Sequence, residues 1–235
     1  MKIGVFGFDN ISSGKQNLVD QRLDTIKQAA LSAKKAYLQA EIFTDFERLG
    51  ECDGIISAKD KLADLILTDL EFIEKRLDSA GQEQEKKLLS RFKAQLENEQ
   101  PASGLEISKE EKPFAAGYSL LTFRPVYSAG PQDAQDLQKI LTCAYNSFGY
   151  IAFFTANEKE ARSWPIKKGT SAWEAAGLIH SDIQKGFIRA EVIAFEDLTK
   201  DGGINQARAN NHLRLEGKEY IVCDADLIKF RFGRS

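Results

Sequence analysis

The order of apolar and polar positions divides the chain into blocks of different period. Residues 2–8 (KIGVFGF) are a β-branched and aromatic run ending at Gly7, the pattern of a buried strand. A polar stretch, DNISSGKQN, follows, and then a helical pattern from about Asp20 to Tyr37. Residues 41–46 (EIFTDF) and 53–57 (DGIIS) read as two more short strands, so the first 58 residues predict strand–helix–strand order in an α/β layer. From Ser57 the period changes. Ser57 and Asp60 have the spacing of a helix start, and Leu62, Ile66, Leu70, Ile73 and Leu77 form one apolar stripe. Gly81 stands where a C-cap belongs, and a second helix runs from about Gln82 to Glu99 with Leu89, Phe92 and Leu96 inward. Two such helices joined at a glycine predict a hairpin.

A short helix at about 109–117, a strand at 120–127 (LLTFRPVY) and a helix at 132–147 then return the chain to the first sheet. The predicted organisation is an α/β domain (1–58 plus 119–150), a helical hairpin inserted into it (59–118), and a strand-rich domain (151–235). In the last block, Ser171 and Glu174 form a capping box for a helix ending near His180. Ile228, Phe230 and Phe232 alternate with Lys229 and Arg231, so the phenylalanine side should pack on that helix and the basic side face outward.

Composition narrows the function classes. The 235 residues carry 32 Lys+Arg and 35 Asp+Glu, a net charge of −3, which excludes a polycation that coats nucleic acid by charge alone. Cys52, Cys143 and Cys223 stand far apart with no Cys-x-x-Cys, so neither a zinc site of the usual spacing nor a disulfide framework is expected. No apolar run is long enough to span a membrane, and the start shows no signal-peptide pattern, so a cytoplasmic protein is expected.

Two stretches carry a resemblance: FFTANEKEARSWPIKKGTSAWEAAGLIHSDIQKGFIRAEVIAFEDL (153–198) and HLRLEGKEYIVCDADLIKFRF (212–232). They resemble the C-terminal TGS domain of the YchF/Obg-like ATPase family, with LADLILTDLEFIEKRL similar to that family's coiled-coil insertion and LLTFRPV to the strand returning from it. The resemblance implies a ubiquitin-like β-grasp for 151–235. It also implies a P-loop nucleotide site in the first domain, which the residues do not sustain. A phosphate loop needs G-x-x-x-x-G-K-[ST], whose N–H groups cradle phosphate while Lys and a hydroxyl serve the charge and Mg²⁺. Gly14 and Lys15 are present, but Asp9 stands in place of the first glycine, and starting from Gly7 makes the loop two residues too long. Gln16 replaces the hydroxyl residue. After the strand at 41–46, Asp45 lacks its glycine, with Arg48 in that place, and Ser128–Gly130 carry no base-recognition amide or carboxylate.

The expectation is therefore a shortened, catalytically silent relative with no cofactor, in which Asn10, Gly14 and Lys15 are vestigial nucleotide contacts. The alternative is a residual switch that still binds ATP or GTP, its Mg²⁺ in doubt. The expected partner is RNA or the ribosome, with a protein partner on the hairpin as a further option. Residues 151–235 hold 13 Lys+Arg and 12 Asp+Glu, so an RNA contact must be local. Arg162, Lys167 and Lys168 on one strand and Lys229, Arg231 and Arg234 on the last would gather into a basic stripe if the two strands are neighbours, with His180 nearby as a partner contact or simply a helix-end residue. Trp164 and Trp173 read as packing residues.

Overall fold

The computed structural model describes residues 1–130 and 132–233, so Arg234 of the expected stripe lies outside the described residues. The chain forms two compact units, residues 1–16 with 40–148 and residues 17–39 with 149–235. Both are mixed α/β.

The first unit is built on β1 (Lys2–Phe6), β5 (Gly54–Ala58) and β6 (Val126–Ala129) with β2 (Gly14–Leu18) and β4 (Leu38–Phe43), whose residues 17–18 and 38–39 fall in the second unit, in the order β2-β4-β1-β5-β6. The β4, β1, β5 and β6 strands are parallel, with Ile3 opposite both Ile42 and Gly54, and Ile55 opposite Val126. Every residue of β5 is buried, as expected for a strand covered on both faces. Helices α2 (Leu62–Ser79) and α3 (Glu83–Glu97) follow, and Ile66, Ile73, Leu88, Leu89, Phe92 and Leu96 form a shared apolar cluster. Arg76–Glu85 at 2.8 Å and Lys93–Glu74 at 2.8 Å link the two helices. Then come α4 (Lys112–Ala115) and α5 (Leu137–Ser147).

Several local readings shift. Ser57 is buried within β5 and caps nothing; α2 begins at Leu62, after a 3₁₀ turn at 59–61. The helix stops because Ala80 turns extended (ψ 125°), and Gly81 does not take the left-handed conformation expected of it. The strand expected at 120–127 starts only at Val126, since the N–H groups of Leu121 and Thr122 are taken by the Asp69 carboxylate, each at 2.7 Å.

The second unit contains α1 (Arg22–Ala29), β3 (Lys34–Ala36), β7 (Tyr150–Ala156), β8 (Glu160–Lys167), α6 (Ala172–Ile179), α7 (Ser181–Lys185), β9 (Phe187–Ile193), α8 (Phe195–Asp201), α9 (Ile204–Ala209), β10 (Arg214–Glu216) and β11 (Leu227–Phe232). The sheet order is β10-β9-β11-β7-β8-β3. It is mixed: β11 is parallel to β7 and β3 to β8, while β7–β8, β9–β11 and β9–β10 are antiparallel. One face packs Phe153, Ile166, Val192 and Ile228 on Ala172, Ala175 and Ala176 of α6. The other packs Phe154, Ala161 and Leu227 with Leu23 and Ile26 of α1.

The helix expected over 20–37 is thus an eight-residue helix and a strand. Leu31 takes φ +54°, the left-handed conformation that ends α1, and Ala33 then donates to the Glu158 carbonyl as the chain joins β8. The capping box forms as its residues predict: Ser171 accepts from Glu174 N at 3.3 Å, and Glu174 accepts from Ser171 N at 2.8 Å. Ile228 and Phe230 pack on the α6 side, but the β9–β11 register shifts between Arg231 and Phe232, leaving Phe232 47% exposed.

Candidate functional site

In parallel α/β sheets ligands bind beyond the carboxyl ends of the strands, which makes the exit of β1 the first place to look. A phosphate site there requires a loop leading into a helix N-terminus. After β1 the chain instead turns through residues 7–13 and becomes β2, and Gly14 and Lys15 are the first two residues of that strand. The next helix, α1, belongs to the second unit. Gly7 has φ +82°, and a Cβ placed on it would stand 2.6 Å from Cγ of Lys61 and 2.9 Å from Cβ of Ala58. Residues 58–61 therefore sit against the spot where a phosphate loop would open.

Asn10 and Lys15 are exposed, and beside them Ser13 and Thr44 share a hydroxyl hydrogen bond at 2.8 Å. Asp45 precedes a 3₁₀ turn (Phe46–Glu51) and caps nothing with its side chain, while Arg48 lies over the Phe43 ring at 3.9 Å. At the end of β6, Asp133 accepts from Gly130 N at 3.2 Å and pairs with Lys139 at 3.3 Å, which fastens this loop to itself. Among the described residues no group of His, Cys, Asp and Glu could hold a metal ion.

The expected basic stripe does not assemble on adjacent strands. β11 lies between β9 and β7, so β8, with Arg162 and Lys167, is one strand removed from Lys229 and Arg231. Arg231 is bound by the buried Glu191 on β9, and Arg162 by Glu160 at 2.7 Å. Lys168, just past β8, and Lys229 are exposed, and Lys167 lies over the Tyr150 ring at 3.7 Å. His180 is the C-cap residue of α6, as its sequence position suggests, and its Nδ1 also accepts from Asp182 N at 3.2 Å as the N-cap of α7.

A different cluster, which brings together Arg162 of the expected stripe and Trp164, forms at the β3–β8 edge. Trp164 Nε1 donates to Thr155 Oγ1 at 2.9 Å, and its ring lies nearly parallel to Phe153 (17°). The Arg162 guanidinium stands 5.2 Å from the Trp164 centroid, and Lys35 stands 4.9 Å from that of Tyr37. Arg162, Trp164, Lys35 and Tyr37 border a cavity of about 510 Å³. The ion pair with Arg162, ahead of that with Lys34 at 3.2 Å, holds the Glu160 carboxyl below its ordinary range.

A parallel sheet ordered β4-β1-β5-β6 and a mixed sheet of six strands define a two-unit mixed α/β chain. Its fold matches the YchF GTPase of Schizosaccharomyces pombe, with a TM-score of 0.79, 19% identity, and coverage of 98% of this chain and 97% of that one. Residues 150–233 match the family YchF-GTPase_C, described as a protein of unknown function (DUF933). The Ribosome-binding ATPase YchF of Bacillus subtilis is 31% identical over 249 aligned residues, covering 78% of this chain and 68% of that protein. The chain belongs to the YchF/Obg-like ATPase family. The Haemophilus influenzae Ribosome-binding ATPase YchF and the Danio rerio Obg-like ATPase 1 are each 46% identical over 97 residues, 41% of this chain. Those alignments span only 27% and 24% of the two relatives. No described helix is long and apolar enough to cross a membrane.

Proposed function

We propose that the chain is a non-catalytic binding protein that contacts RNA or the ribosome in the cytoplasm. In this reading the second unit acts as a TGS-type β-grasp and the α2–α3 pair as the family's helical hairpin. The observation that carries it is the path after β1: a strand stands where a phosphate-cradling helix would begin, and Lys61 packs on Gly7. The relatives named ribosome-binding support the partner, and a β7–β8 hairpin, α6 and a central β11 parallel to β7 are the parts a β-grasp requires. Cosedimentation with ribosomes at about 50 and 200 mM salt tests the reading, since phosphate contacts weaken steeply over that range. Association at low salt and no nucleotide turnover above background are expected. No association at low salt ends it.

A second reading keeps the family's nucleotide as an effector without hydrolysis. It is favoured by one feature, the exposed Lys15 following Gly14 beside the Ser13–Thr44 hydroxyl pair. ATP or GTP with Mg²⁺ would then raise the melting temperature, and Lys15→Ala would abolish the rise. No shift at millimolar nucleotide removes this reading and leaves the chain without a cofactor.

A further inference from the structure

The cavity at the β3–β8 edge has the parts of a nucleotide-binding pocket away from the family's nucleotide site. Its volume of about 510 Å³ lies within the roughly 300–1,000 Å³ typical of small-ligand sites. An unpaired base binds by stacking on an aromatic ring or a guanidinium plane, with polar groups at its edge and a cation near its phosphate. All three are present.

Trp164 is fixed on two sides, by its hydrogen bond to Thr155 and its near-parallel contact with Phe153. Arg162 lies over that ring, with Nε anchored by Glu160, so the platform is oriented before any ligand arrives. Asn17 and Gln39, whose amides meet at 3.4 Å on the cavity wall, offer a donor and an acceptor to a base edge. Lys35, whose ammonium is held by the Asp24 carboxylate, supplies the cation. Lys34, Lys35 and Arg162 face the two carboxylates of Glu160 and Asp24, which leaves the edge one positive charge in excess. Trp164 thus serves packing and, by its contact with Arg162, the pocket as well.

We propose that this cavity holds one unpaired nucleotide of an RNA strand, the base stacked at Arg162 and Trp164 and a phosphate beside Lys35. The inference rests on the RNA-binding reading and gives it a location. In a Trp173→Phe background, Trp164 is the only tryptophan and its fluorescence reports the pocket. Titration with a single-stranded RNA hexamer should quench it saturably. Arg162→Ala should weaken binding at least tenfold, and Arg162→Lys, which keeps the charge but loses the plane, should weaken it several-fold. Uridine or adenosine monophosphate should bind at least tenfold more weakly than the hexamer. Absence of saturable quenching, unchanged affinity in Arg162→Ala, or equal binding of the monophosphate would each overturn the proposal. Ribosome cosedimentation of the same variants separates the two readings: wild-type association without a Trp164 response sinks the pocket alone, whereas loss of wild-type association sinks the RNA-binding role itself.

Discussion

The buried carboxylate of Asp69 accepts from both the backbone N–H and the hydroxyl of Thr122, at 2.7 and 2.5 Å. Asp69 is 1% exposed and also binds Leu121 N, so one α2 side chain holds the segment that returns from the helices. Removing the acceptor strands buried donors at about 1–3 kcal/mol each. Asp69→Ala should cost about 3–5 kcal/mol, and the amides of Leu121 and Thr122 should lose hydrogen-exchange protection first.

The same residue predicts a pH effect. Burial is the largest influence on its carboxyl and raises the pKa, against the lowering by Thr122 and Leu121. The folded state therefore holds the proton more tightly than the unfolded chain, and stability falls as pH rises from about 3.8 through the raised folded pKa. Asp69→Asn should lack that decline. Matched unfolding titrations of wild type and variant between pH 3.5 and 7, taken as roughly the range of carboxylate titration, should show the difference; parallel curves would refute it.

Gly7→Ala places a methyl into Lys61 and Ala58 at a φ that L-residues disfavour. The left-handed conformation alone costs roughly 1–2 kcal/mol and the contact adds to it. A fall in melting temperature of several degrees is expected.

Leu31 offers the reverse case. It is 85% exposed and has φ +54°, so its side chain gains little burial while the backbone is unfavourable. Leu31→Gly should stabilise the protein by about 0.5–1 kcal/mol, read as a higher melting temperature.

The Ser171 cap is a simple local test. Its hydroxyl binds Glu174 N and its own N–H is bound by Glu174, so Ser171→Ala should cost about 1 kcal/mol, with faster exchange in the first turn of α6.

Features governed by neighbours along the chain are legible in the residues themselves. The α2 and α3 stripes and the Ser171 box depend on spacings of three and four residues, and the missing pieces of the phosphate loop are simple identities. What escapes such a reading depends on distant partners. The strand at 120–127 begins late because Asp69, some fifty residues earlier, captures its amides. The helix over 20–37 breaks because Ala33–Ala36 find β8. The basic stripe fails on strand order, which the side chains of Arg162 and Arg231 do not encode. The β3–β8 pocket is not legible in the sequence, since its two sides, 35–39 and 162–165, come together only through the pairing of strands more than a hundred residues apart.

The early segment that completes the second unit has a consequence for synthesis. Ser32 binds the Asn157 carbonyl across 125 residues, and Arg22 binds Asp224 across 202. On a translating ribosome, α1 is made long before β7, β8 and β11 and must wait with Leu23 and Ile26 uncovered. A 149–235 fragment would lack its partner for the Phe154 and Leu227 face and should aggregate unless residues 17–39 are supplied with it. Residues 149–235 thus depend on residues 17–39, synthesised well before them, to become soluble.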